Sequence, residues 1–486
     1  MATGAAWAAS SGEQILRAFA LGSVGLGMIS MLLVSLEAGL LAMVIFEPFR
    51  GLLRRMQYLI VPYSNSEPIH LLTPFVALFA FLLVLNRHKL GAFVATPVAK
   101  AVSILALICA IQIFNPLQGG LFVGLSGGLF ILVPMLWFYF GQHCDRRFFS
   151  RVIKAVVFLG ILASLYGIYQ LTFGYPAFEL TWIQNTDSYE SIAVYGVTRP
   201  IATFCNAEEW GRYVQLGCVI AVGLAASRAE GKYRPVWLIS ALILAGMLAI
   251  TGQRSSIFGL FLGLAVLFFT GARTWGGAAA RLAGLGLILG CFLFASSRLA
   301  PEDDVKGKEG VSTILSHTTK GTLNPGSEYS LGARMDTWYQ VVFSMIPSNP
   351  LGSGLGASTL AGTRTAERES PPIDNHFFSL ALSAGLPAAL LLVWIFWRSL
   401  RTSIKLCRQS ETGSRELTEG RIALALVASL LLNNFFGTSF VIYSIAPLGW
   451  LLIGWLSARS MELTATEEVE DEVQNKYYVN SFAENV

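Results

Sequence analysis

Charge is what this sequence has least of. Of its 486 residues only 13% are Asp, Glu, Lys or Arg, against roughly 25% in soluble domains. Such a chain cannot cover an ordinary water-facing surface. Histidine is scarcer still, with five copies, and the six cysteines (Cys109, Cys144, Cys205, Cys218, Cys291, Cys407) stand far apart, mostly inside apolar runs. The lack of any Cys-x-x-Cys or Cys/His spacing excludes a zinc-finger-like site and a disulfide framework. The adjacent carboxylates Asp303 and Asp304 in "PEDD" read as a solvated loop, so no metal ligand set and no cofactor is expected. The N-terminal "MATGAAWAASSGEQILRAFALG" has no clear cleavage pattern, which keeps the first apolar segment in the protein. A net charge of +4 says little about partners, and nothing points to nucleic acid.

What the chain has is hydrophobic length: 54% hydrophobic residues and a mean hydropathy of +0.58. Apolar runs fall near 69–86, 99–116, 121–140, 152–173, 209–227, 235–251, 254–272, 280–299, 377–398, 421–439 and 440–457. Runs of about 18 residues or more predict an all-α polytopic membrane protein. The stretch 17–47 is too long for one untilted span and carries Glu37. As one tilted helix it gives about 12 transmembrane helices; as a hairpin it gives 13.

Orientation follows from the basic residues. Arg87 and Lys89; Arg146, Arg147 and Arg151; Arg228, Lys232 and Arg234; Arg273 and Arg281; and Arg398, Arg401, Lys405, Arg408 and Arg415 occupy alternate loops, all assigned to the cytoplasmic side. The run Arg50, Arg54, Arg55 fits this count poorly. The opposite loops are 174–208, the turn at 252–254, and 300–376, the only long one and therefore expected to be functional or disordered. Within it "LGARMDTWYQVVFSMIPSNPLGSGLG" has helical periodicity, with Arg334, Trp338, Val341 and Met345 on one face and Pro347 and Pro350 ending the run. This predicts a short amphipathic helix lying on the bundle. Residues 1–460 then form one membrane-embedded domain, and 461–486 an acidic cytoplasmic tail.

The topology gathers four charged or titratable residues on one face. Arg254, in "TGQRSSIFGLFLG", opens an apolar helix, where unpaired backbone N–H groups and a guanidinium both favour an anion. Snorkelling to lipid headgroups explains the same position equally well. Arg334 shares the apolar face with Trp338, although a pair with Asp336 or Glu328 would account for it too. His376, in "PPIDNHFFSLALSAG", follows the potential caps Asp374 and Asn375. At a helix start its ring is held neutral and can accept a proton. Arg199 and Arg212 are weaker candidates, Arg212 having Glu208 one turn earlier as a partner. The glycines of "GSGLG" (352–356) suit a loop better than a phosphate cradle.

These three stretches, in order, spacing and side, resemble the O-antigen ligase family, part of a superfamily shared with Wzy-type polysaccharide polymerases; the resemblance covers residues 69–457. It implies that Arg254, Arg334 and His376 are the catalytic residues. Arg254 and Arg334, with Arg199, would bind the substrate diphosphate. It further implies a bacterial inner-membrane glycosyltransferase with its active site facing the periplasm. That enzyme moves an undecaprenyl-diphosphate-linked glycan to a lipid A-core or lipid-linked glycan acceptor, with inversion and without metal. A Wzy-type polymerase and a small-anion transporter remain as alternatives, the last needing midplane polar residues and inverted repeats that the sequence shows little of.

Overall fold

A computed structural model of the protein describes residues 2–59, 68–185, 193–194, 197–272, 274–299, 329–357 and 373–463. The chain opens with two helices, α1 (Ala2–Val34) and α2 (Leu36–Met56). They are separated by Ser35 alone, whose extended backbone (φ −152°) breaks the helix while its hydroxyl accepts from Ala38 N–H. Stretch 17–47 is therefore a hairpin, not one tilted helix. Then come α3 (Ile69–Arg87), α4 (Pro97–Gln112), α5 (Leu121–His143), α6 (Arg146–Phe173) and a short α7 (Ala177–Asn185). They are followed by α8 (Ala207–Ala226), α9 (Arg234–Thr251), α10 (Arg254–Gly271) and α11 (Trp275–Leu299). The long loop contributes α12 (Tyr329–Gln340), and the chain ends with α13 (His376–Ala384), α14 (Leu386–Gln409), α15 (Arg415–Phe435) and α16 (446–463).

Local chemistry sets the starts. Thr96, Asp145, Asn206, Asn375 and Ser414 each sit before a helix and accept the N–H three residues on, satisfying one of the donors that a helix start leaves open. The expected run 377–398 is interrupted at Gly385 (φ +97°), a conformation L side chains rarely adopt, so it becomes two helices. Six helices among the described residues are long and apolar enough to cross a membrane: 15–34, 69–87, 121–143, 146–173, 228–251 and 254–271. Beside them the described chain has one two-residue antiparallel ladder, Ala193–Val194 with Val197–Thr198. None of the six cysteines is disulfide-bonded.

One apolar core joins the bundle, with Trp137, Phe138, Phe140, Phe148, Trp210 and Trp455 fully buried in it. Helix α10 is drawn into this core by its lack of side chains at two points. A Cβ on Gly259 would stand 2.7 Å from Asn433 Oδ1 of α15, and one on Gly263 2.8 Å from Val219 of α8. Any larger residue there would push α10, and Arg254 at its start, away from its neighbours.

The polar contacts fall into two groups at opposite ends. At one end Arg146 pairs with Glu416 and Glu419 (2.7 Å to the latter), Arg151 with Glu37, and Lys154 with Glu230 (3.0 Å). Thr96 meets Ser457 at 2.5 Å and Ser227 meets Thr418 at 2.7 Å. This basic end joins the loops that the sequence grouped by charge. Arg50 and Arg55 belong to the other end, where Arg50 approaches Glu47 (3.0 Å) and Arg55 approaches Glu179 (2.7 Å). That is why their run fits the charge count poorly: they are spent on internal pairs, not on one of the basic loops. Asp303, Asp304, 358–372 and 464–486, most of the acidic tail, lie outside the described residues.

Candidate active site

The opposite end is assembled around the connection 199–206. Inside α2, Pro48 interrupts the helical ladder, and the connection fills the gap. Thr203 donates its hydroxyl to Pro48 O (2.6 Å), and Leu52 N–H donates to Thr203 O (2.7 Å). Gly51 makes this possible, since a Cβ there would lie 2.6 Å from Cys205 N. Arg55, wholly buried, donates Nε to Glu179, Nη2 to Ala202 O (2.5 Å) and Nη1 to Phe204 O. Every guanidinium nitrogen is used. Gln170 completes the clamp by accepting from Ile201 and Ala202 N–H (3.1 and 2.8 Å).

The clamped connection leads straight into the cap Asn206 and the first turns of α8, which carry Glu208, Glu209 and Arg212. Glu209 is held by Ser444 (2.7 Å) and Cys205 N–H (3.1 Å). Arg212 is fully buried and pairs through Nη2 with Glu208, as the sequence suggested. Its Nε and Nη1, however, have no hydrogen-bond partner among the described residues. Its guanidinium fills the space beside Gly437, where any Cβ would collide with Nη2.

Gly437 is the link to His376. Its carbonyl accepts the His376 N–H at 2.9 Å. His376 opens α13, is only 3% exposed, and faces a small apolar hollow lined in part by Leu105, Cys109, Met135 and Phe440. Asn375 caps the helix by accepting from Phe378 N–H (3.1 Å). The ring Nδ1 has no partner among the described residues.

Arg334 reaches the same place from the long loop. It contacts Asp374, two residues before His376, through Nε (2.9 Å) and Nη2 (2.8 Å); of the two partners read from the sequence, Asp336 is not the one it meets, and Glu328 lies outside the described residues. Both side chains stay about two-fifths exposed, at 39% and 44%. Trp338 one turn later anchors α12, its ring packing edge-on to Phe378 and Phe435, and Val341 is fully buried. The helix passes into a π turn, Val341–Met345, before Pro347. In "GSGLG" the N–H groups of Gly354, Leu355 and Gly356 donate to Ser383 O, Gln112 O and Gln118 Oε1. The glycine stretch is a structural loop with its donors committed.

Arg254 occupies the first position of α10 and is half-buried. The turn before it packs on α8: a Cβ on Gly211 would lie 3.0 Å from Gln253 Cβ and 3.0 Å from Thr251 Oγ1. Gln253 is thus a spacer that seats the Arg254 turn next to the residue preceding Arg212. Arg199 stands in the clamped connection with Tyr175 donating to its carbonyl. Burial lowers its pKa, opposed by the charge of Glu208. Through Gly437 and Asp374 the structure brings Arg212, His376 and Arg334 to one place, and the turn before Arg254 packs on Gly211, the residue before Arg212, while the charge of Glu208 acts on Arg199. Arg212 and Glu208 are the members that sequence reasoning underrated. The usable signal was an arginine and two glutamates entering an otherwise apolar span.

Residues 239–393 match the family model described as O-antigen ligase (Wzy_C), a stretch that contains Arg254, Arg334 and His376 but not Arg199, Glu208 or Arg212. Over that stretch the chain is similar to the O-antigen ligase and Wzy superfamily. No curated protein matches the chain. The match and the six apolar helices together indicate a multi-pass membrane protein with an O-antigen ligase-type region.

Proposed function

We propose that this protein is an O-antigen ligase-like, inverting and metal-independent glycosyltransferase of the bacterial inner membrane, working on its periplasmic face. Its donor is an undecaprenyl-diphosphate-linked glycan and its acceptor a sugar hydroxyl, on lipid A-core or on a second lipid-linked glycan. The observation that carries this reading is the convergence of three distant stretches at one end: Arg334 on Asp374, His376 on Gly437 beside Arg212, and the Arg254 turn on Gly211. Counting the α1–α2 hairpin as two crossings and the α13–α14 unit as one gives thirteen. It also puts the starts of α8, α10 and α13 on a single face, away from the basic loops.

In the reaction, the neutral His376 ring takes the proton of the acceptor hydroxyl as its oxygen attacks the anomeric carbon. Attack comes from the side opposite the diphosphate, so configuration inverts. The anomeric C–O bond breaks and the electron pair leaves with the diphosphate, whose growing charge is met by Arg254 and Arg334, with Arg199 on the bound diphosphate. Two guanidinium groups and two helix starts supply fixed positive charge, which is the work that a divalent cation does in other diphosphate chemistry. Excess EDTA should leave the rate of the purified protein unchanged; loss on chelation with rescue by magnesium would refute the arginine mechanism. Cells lacking the protein should accumulate uncapped lipopolysaccharide. Loss of long chains with single repeats retained would instead assign the polymerase reaction.

A further inference from the structure

Glu208 is out of place at this end of the bundle. A diphosphate site gathers cations, yet here a carboxylate stands among them. Its Oε1 accepts from Arg212 Nη2 and lies 3.1 Å from where a Cβ on Gly437 would be. That same glycine's carbonyl holds the first N–H of α13. Glu208 is also the charge that most supports the protonated state of Arg199 against burial. One carboxylate thus pairs with Arg212, supports the charge of Arg199, and lies against the Gly437 backbone that holds the start of α13; a phosphate binds guanidinium groups in the same way.

Its partner is poorly served. Arg212 is 0% exposed, but Glu208 takes only Nη2 and leaves Nε and Nη1 without a partner among the described residues. Buried donors left open cost free energy. The contrast with Arg55 and Glu179 is direct: both are 0% exposed and every nitrogen of Arg55 is used. The Glu208 side chain, by comparison, is 41% exposed, on the first turn of α8, and free to swing toward solvent. A phosphate, with more acceptor oxygens and more charge, would satisfy donors that this carboxylate leaves open.

We propose that Glu208 is a built-in stand-in for the donor's phosphate. In the empty site it neutralises Arg212 and keeps that guanidinium buried beside His376. An incoming diphosphate displaces it and takes Arg212 as a further ligand. The carboxylate then acts as a threshold: a ligand must carry enough negative charge to outcompete it, which favours diphosphates over monophosphates and neutral lipids. The proposal rests on the donor reading above.

The test uses the full chain in detergent micelles with farnesyl diphosphate and farnesyl monophosphate as probes, at fixed ionic strength, by calorimetry. Glu208→Gln keeps the shape and an acceptor oxygen for Arg212 while removing the competing charge. It should tighten diphosphate binding about tenfold, as removal of a competing closed state does, and narrow the preference over monophosphate. Glu208→Asp, with its charge kept and its reach shortened, should tighten binding less. Arg212→Lys should weaken binding, and in the double variant it should cancel the gain. Equal or weaker binding in Glu208→Gln, at an unchanged melting temperature, would overturn the proposal while leaving the donor site standing. If neither the wild type nor any variant bound the diphosphate, both would fall.

Discussion

The two polar ends of this bundle use the same residue types for different purposes. At the basic end Arg151 and Glu37 are 52% and 27% exposed and Arg146 and Glu416 28% and 53%, so these two pairs are matched in the open, while Glu419 and Glu230 sit buried under their partly exposed cations. Such pairs contribute little stability, about 0–1 kcal/mol; what they and their neighbours set is orientation. At the other end Arg55 and Arg212 are completely buried. Burying an arginine costs several kcal/mol unless it is fully paired, so a buried one has to be explained. Arg55 is explained by its neighbours alone. Arg212 is not, and the same holds for the unpartnered Nδ1 of His376. The lesson is to ask of each buried charge whether the protein itself uses all its donors, because those left over point to a ligand.

Substitutions can break that contrast, beginning where the effect is largest. Arg254→Lys and Arg334→Lys should each cut the transfer rate about 100-fold or more, since a point charge cannot reproduce a bidentate contact to phosphate. Near-normal turnover of purified variants would make both residues anchors. Arg55→Met should cost about 3–5 kcal/mol by leaving Glu179 buried and uncompensated, read as a lowered melting temperature in detergent. Arg151→Ala at the basic end should cost about 0.2–1 kcal/mol and leave activity alone. Equal losses for Arg55 and Arg151 would erase the difference between the ends.

Much of this was legible in the sequence because membrane spans are written in composition. Most expected spans are matched by helices, and of the two potential caps Asp374 and Asn375 it is Asn375 that caps α13. The exceptions have physical causes. Ser35 breaks 17–47 with one residue, too small a signal for a window of about 18. Arg50 and Arg55 look like orienting charges but are buried in partners more than a hundred residues away in one case, and no local rule reports that. Arg212 and Glu208 read as a helical pair, which they are. Their depth, and their approach to His376 through Gly437, come only from packing. The side chain of Gln253, just before Arg254, rests on Gly211, and that contact too comes only from packing.

The most direct test of the account is a paired assay on purified full-length protein with a polyprenyl-diphosphate-linked glycan and its acceptor. His376→Ala should lower transfer about 1,000-fold, within the range for loss of a general base, with folding and membrane insertion preserved. Arg146→Ala, at the basic end, should stay within about twofold of wild type. Transfer retained in His376→Ala, or lost equally in Arg146→Ala, would contradict the claim that the chemistry belongs to the end that holds Arg212 and His376.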